Sequence, residues 1–243
     1  MIALYGSRAS PFTEKVARGL ALKQLDFALV EPASAEDYRR WNPETGRLPV
    51  LDLDGERLHD STNILLRVNE LYPEPPLLSS DRRAAESQLR LARWVDDTFS
   101  WYWNRWLRRA GAPPVVGPFL AFAGESLADA ERRMRSAAPA RPPRPAGTSL
   151  RSWVATRWRE QPESTSWNEQ ERLVHEIAHR VGDLARLLAP RPCFYADQIG
   201  IADLAAHAML RVLAQDAIPG TRRCLEQHPP LLGLMERVER ETG

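Results

Sequence analysis

Ser10-Pro11 has the chemistry of a helix start: serine accepts a hydrogen bond from an orphan N–H at the cap, and proline is preset for the first turn. The same geometry gathers partial positive charge and free N–H donors, so an anion placed there is stabilised. A thiolate is such an anion, and thiol pKa values fall at helix N-termini. Further along, Arg47-Leu48-Pro49-Val50 puts a proline directly before a strand. An X–Pro bond goes cis at modest cost and proline donates nothing to a sheet ladder, which leaves the backbone of Leu48 to pair with an extended ligand. Asp60-Ser61 stands where a strand hands over to a helix. Ser61 is a natural N-cap whose neighbouring N–H groups suit a carboxylate, and Asp60 suits an ammonium. Each stretch alone reads more readily as ordinary capping and turn chemistry.

His175-Glu176-Ile177-Ala178-His179 matches H-E-x-x-H, and Gly182 extends it toward the longer metzincin pattern. At i and i+4 both imidazoles share one helix face, as zinc requires. The third histidine of that pattern falls at Ala185, which cannot ligate, and no strand signal accompanies the helix. The stretch reads as an amphipathic helix with Leu173, Ile177, Leu184 and Leu188 inward and the histidines on the wet face. A zinc-dependent hydrolase through His175, Glu176 and His179 is a minor alternative, and no metal is assigned.

The elements that would position the first three stretches change every few residues. Ile2 to Tyr5 reads as a strand, Pro11 to Lys23 as a helix with Phe12, Val16 and Leu20 at helical spacing, and Phe27 to Val30 as a second strand. Ala35 to Trp41 is a short helix, and Val50 to Leu58 is a hairpin turning at Asp54-Gly55. Ser61 opens a helix with Ile64, Leu65, Val68 and Leu71 on its apolar face and Pro73 past its end. The order β-α-β then β-β-α predicts a mixed sheet with helices against it. Pro73-Glu74-Pro75-Pro76 is a linker, and strand signals almost vanish beyond it. Helical patterns run over Asp81–Arg109, Ser126–Ser136, Glu169–Leu188, Ile201–Leu213 and Leu231–Glu241, with a proline-rich exposed loop or disordered insertion over Ala138–Gly147. The expected division is an α/β domain over 1–78 and an all-helical domain over 79–243.

A chain of 243 residues with 43% apolar and 27% charged side chains can bury a real core. Its net charge of +1 supplies no basic excess for nucleic acid. No apolar run reaches the roughly 20 residues a bilayer span needs, and Met1 to Tyr5 lacks the build of a secretion signal, so no membrane is expected as a partner. Cys193 and Cys224 form no Cys-x-x-Cys pair, which fits a reducing cytoplasm.

Taken together and in this order, Ser10-Pro11-Phe12-Thr13-Glu14-Lys15-Val16, Asn42-Pro43 through Leu51, and Asp60-Ser61-Thr62-Asn63-Ile64-Leu65 resemble the glutathione S-transferase superfamily, as do the proline linker and Ile199-Gly200-Ile201-Ala202-Asp203-Leu204. The likeness is to its serine-type, bacterial-like members; it is strong over 1–78 and looser beyond. It implies a thioredoxin-like domain that binds glutathione or a related small thiol, and a helical domain that holds a hydrophobic electrophile. Ser10 would donate to the glutathione sulfur, with Ser7 as the second hydroxyl. Leu48, before a cis Pro49, would pair with the cysteinyl backbone, Asp60 and Ser61 would hold the γ-glutamyl end, and Arg47 a carboxylate. Phe12, Trp101 and Arg105 are the expected electrophile-pocket residues. Glutathione would be a co-substrate, no cofactor is implied, and a homodimer is expected. A glutathione-dependent isomerase or lyase, or a binding or assembly protein that kept the fold without catalysis, are the alternatives. The sequence departs from the family where Asp60 replaces Glu or Gln and where Gly200 replaces a Ser or Thr cap, a change expected to weaken that helix start.

Overall fold

The computed structural model describes residues 1–109 and 168–243. The helix expected over Ser126–Ser136 and the loop over Ala138–Gly147 lie outside them.

Four strands, β1 (Ile2–Tyr5), β2 (Ala28–Val30), β3 (Val50–Leu53) and β4 (Glu56–His59), form one sheet in the order β2-β1-β3-β4. β1 runs parallel to β2 and antiparallel to β3, and β3 pairs antiparallel with β4 across the Asp54-Gly55 turn, where both residues have positive φ. The period-2 alternation of strand side chains gives the sheet two apolar faces. Leu4 and Leu51 pack with Val16, Leu20, Ile64 and Val68 of helices α1 (Pro11–Leu22) and α3 (Ser61–Leu71). Tyr5 and Val50 face the other way, onto Trp41 and Tyr38 of α2 (Ala35–Trp41). Each such fully buried aliphatic side chain contributes about 1.5–3 kcal/mol.

Beyond the linker come α4 (Arg82–Arg109), α5 (Glu169–Leu188), α6 (Ile201–Ala214), α7 (Thr221–Glu226) and α8 (Pro229–Thr242). In α6 every residue from Ile201 to Leu210 is buried, as expected of a helix packed on all sides. It lies against α1 and α4, and Phe12, Leu65 and Leu77 from the first half join its core.

One expectation is corrected. Ser61 is the first residue of α3 and not its cap: Asp60 caps, its Oδ1 accepting from Thr62 N–H and Asn63 N–H at 3.0 Å each. Gly200 gives α6 no side-chain cap, and the packing around it shows why glycine stands there. Asp203 accepts from Gly200 N–H and Phe194 N–H at 2.8 Å, which ties down the loop, while Ile201 N–H donates to Leu77 O at 2.8 Å. A Cβ on residue 200 would stand 2.8 Å from that same carbonyl, so only glycine lets the linker dock here.

Candidate active site

The strand register brings the three chemistry-bearing stretches to one end of the sheet. Tyr5 stands opposite Val50, and Val50 opposite His59. The residues just beyond these three, namely Gly6 to Ser10, Leu48-Pro49 and Asp60-Ser61, therefore leave the sheet at the same end. Both α1 and α3 begin there, so two helix N-termini share the locality.

Ser10 has extended backbone, and its Oγ accepts from Thr13 N–H at 3.5 Å as the cap of α1. It is 1% exposed. Ser7 is half-buried and its Oγ accepts from Ala9 N–H at 3.3 Å. Both hydroxyls use a lone pair, so each keeps its proton to donate. Gly6 permits this tight loop, since a Cβ there would lie 2.3 Å from Thr13 Oγ1. Arg211 of α6 holds the loop from above, its Nη2 donating to Arg8 O at 3.1 Å and standing 3.6 Å from Glu14.

The Leu48–Pro49 peptide is cis. The Leu48 side chain is buried beneath α2 beside Trp41, while its N–H and C=O take no hydrogen-bond partner among the described residues. Asn42, itself buried, fixes the approach: its Nδ2 donates to Arg47 O and Thr45 Oγ1 at 2.8 Å. Arg47 is half-buried beside this open main chain.

Asp60 sits at φ 69 and ψ 120, a conformation L residues rarely hold. Because its Oδ1 occupies the N–H groups of Thr62 and Asn63, the only first-turn donor of α3 left without a partner among the described residues is Ser61 N–H. The Asp60 Oδ2 takes no hydrogen bond among those residues. An ammonium acceptor and a carboxylate donor thus stand on adjacent residues.

Sequence reasoning missed what lies beneath. Lys15, fully buried, donates to Thr62 Oγ1 at 2.7 Å and to Asp96 Oδ2 of α4 at 2.6 Å. Burial pushes the Asp96 carboxyl up and Lys15 pulls it back, with the Asp60 charge adding to the rise. The signal was there: the chain has only Lys15 and Lys23 as lysines, and Lys15 falls on the inward stripe of α1 with Phe12 and Val16.

Of the expected electrophile-pocket residues, Trp101 and Arg105 come together. Phe12 is 8% exposed in the core shared by the two halves. Trp101 and Arg105 lie on α4, the guanidinium 5.2 Å over the Trp101 ring and paired with Glu176 at 3.4 Å. A crevice of about 10 Å³, room for about one water, opens between α4 and α6, lined by Phe99, Tyr102, Trp103, Met209, Val212, Leu213 and Ile218. The protein's own thiols are unsuited to nucleophilic work, since burial pushes Cys193 up to about 12 and Cys224 up as well. No group of three metal-ligating side chains occurs among the described residues, and no helix there is long and apolar enough to cross a membrane.

Comparison with known proteins agrees with this geometry. Residues 4–76 match the family described as glutathione S-transferase, N-terminal domain. Maleylacetoacetate isomerase of Pseudomonas aeruginosa is 39% identical over 94 residues, 34% of this chain and 44% of that protein. Glutathione S-transferase Z2 of Arabidopsis thaliana is 34% identical over 96 residues, 36% of this chain and 42% of that protein. The match thus spans less than half the length of these relatives. Among solved structures, the fold resembles beta-etherase LigF from Sphingobium sp. strain SYK-6 with a TM-score of 0.65 at 19% identity, covering 98% of this chain and 94% of that one. It also resembles a glutathione S-transferase from Methylobacillus flagellatus with glutathione bound, with a TM-score of 0.62 at 19% identity, covering 100% and 99% of the two chains. Residues 4–76 thus match the N-terminal domain of the glutathione S-transferase family, and the fold as a whole, a thioredoxin-like first half and a helical second half, is the one those solved structures share.

Proposed function

We propose that this protein binds glutathione, or a closely related small thiol, and activates its sulfur for attack on a hydrophobic electrophile. The observation that carries the reading is the gathering, at one sheet end, of two helix N-termini and the Leu48 main chain, which takes no hydrogen-bond partner among the described residues. Leu48 N–H and C=O pair with the cysteinyl residue of an extended tripeptide. Ser61 N–H receives the γ-glutamyl carboxylate, Asp60 Oδ2 its ammonium, and Arg47 the carboxylate at the far end. The thiol then lies at the start of α1, where the amide dipoles favour the anion and Ser10 donates its hydroxyl proton to the sulfur, with Ser7 as the second donor. The thiol proton leaves to solvent, and the sulfur lone pair forms the new bond to an electron-poor carbon as a leaving group departs with its bonding pair, or as a carbon–carbon π pair shifts onto the adjoining electron-withdrawing group and is then protonated. Lowering the thiol pKa by about two units corresponds to about 2.7 kcal/mol and makes thiolate abundant at neutral pH.

A second reading is favoured by the relative named maleylacetoacetate isomerase: the thiolate adds to an unsaturated substrate and is expelled again, so that glutathione is regenerated. Retention on immobilised glutathione, together with a depressed thiol pKa read by ultraviolet absorbance, tests what the two share. A chain that neither binds the resin nor shifts the thiol is a binding or assembly protein on this scaffold. Net consumption of glutathione separates transfer from isomerisation.

A further inference from the structure

The histidine pair of α5 is left unexplained by the thiol site. His175 and His179 are one helical turn apart and exposed, with rings crossed at 88° and centroids 4.4 Å apart. Their Nε2 atoms stand 2.9 Å from each other. The i,i+4 register alone requires only that the rings share a face, whereas here both side chains turn the same nitrogen toward one point.

The spacing discriminates between metals. With metal–nitrogen bonds of about 2.0–2.1 Å, donors 2.9 Å apart close an angle of about 90°, while a tetrahedral ion needs about 3.3 Å between them. A right angle is the cis edge of an octahedral or tetragonal site, the geometry that copper(II) and nickel(II) favour with nitrogen and oxygen donors. We infer that His175 and His179 form a cis bis-imidazole clamp for a divalent ion of the copper or nickel class, with water completing the shell. This is not the zinc arrangement suggested by H-E-x-x-H. Glu176, the residue a zinc hydrolase would use as its base, is drawn to Arg105 at 3.4 Å, and Ala185 is buried.

Without metal, the short contact is an N–H···N hydrogen bond from one ring to the other. On binding, the donor imidazole moves its proton to Nδ1, and both Nε2 lone pairs face the ion with no net proton released. The site is independent of the glutathione reading.

The test uses the untagged full chain with copper(II) and, as a geometric reporter, cobalt(II). One copper per chain is expected, with a spin-resonance spectrum carrying hyperfine structure from two equatorial imidazole nitrogens. Cobalt should give the weak visible bands of a six-coordinate ion. His175→Ala and His179→Ala should each weaken copper binding by more than about tenfold, since either loss turns a chelate into a single donor. His228→Gln, at a histidine whose ring lies beside Gly182 of α5, should leave it unchanged. Circular dichroism of each variant checks that α5 remains folded. Affinity unaffected by either alanine variant, a one-nitrogen spectrum, or the intense bands of tetrahedral cobalt would overturn the assignment.

Discussion

Ser10 is assigned two roles that separate under mutation because they act on different observables. As a cap it receives one long N–H bond at 3.5 Å, so Ser10→Ala should cost about 0.5–1 kcal/mol of stability, the lower part of the range for lost caps. As the proposed thiol donor it acts only with glutathione present, and the same variant should raise the bound thiol pKa by about one unit or more. Parallel absorbance titrations of Ser10→Ala and Ser7→Ala identify the donor; a shift confined to Ser7→Ala would move the role to the more open hydroxyl. Asp203 gives a second prediction. Burial raises its carboxyl to about 7 against the pull of the Phe194 and Gly200 N–H groups, whereas in the unfolded chain it titrates near about 3.9. Between those values the folded state holds the extra proton, so this residue's contribution to stability is fully present below about pH 4 and is lost as pH rises toward about 7. Urea midpoints of Asp203→Asn should be lower overall, because one acceptor is gone, and flatter across that window. An unchanged slope would mean that the N–H bonds, and not burial, govern this carboxyl.

Between elements the decisive contacts are polar and long-range. Lys15→Met leaves Asp96 as an uncompensated buried carboxylate and should cost about 3–5 kcal/mol, while Lys15→Met with Asp96→Leu should recover much of that loss. A double-mutant cycle by denaturant titration measures the difference, and additive losses would show that the pair is not coupled. Gly200→Ala should cost about 1–3 kcal/mol, because the new methyl meets the Leu77 carbonyl at 2.8 Å and disturbs the linker bond to Ile201. What was legible beforehand was local: the Ser10-Pro11 cap, the Asp54-Gly55 hairpin and the inward stripes of α1, α3 and α5 each carry their own short-range signature. The Lys15–Asp96 pair joins residues 81 apart and leaves no pattern in either neighbourhood. Asp60 took the cap expected of Ser61 because a positive φ swings its carboxylate over the first turn, a backbone choice the dipeptide does not disclose. The six-residue α7 was missed because it is too short for helical periodicity to show, with only Thr221, Cys224 and Leu225 buried.

At the scale of the molecule, the sheet and the described helices share enough structure to unfold as one. Phe12, Leu65 and Leu77 belong to the same continuous core as α4, α5 and α6. Three polar ties reinforce the seam: Lys15 to Asp96, Arg211 to the Arg8 carbonyl, and Arg18 to Thr242 at 2.9 Å. The linker is secured from both sides, since Lys23 donates to Asn69 and the Pro75 carbonyl, and Asn69 Oδ1 also accepts from Leu77 N–H. Two-state unfolding is the default only below about 150 residues, so a single transition is a demanding expectation for this chain. Native-state hydrogen exchange checks it. The slowest amides of β1 and β3 should open with the same free energy as those of α6, because Phe12, Leu65 and Leu77 of the first half are built into the core of the second. Lys15→Met should then lower both sets by the same amount. Were the sheet amides to open at lower energy than α6, and Lys15→Met to depress only one group, the two halves would be separate folding units and the shared core would contribute little to holding the proposed thiol site together.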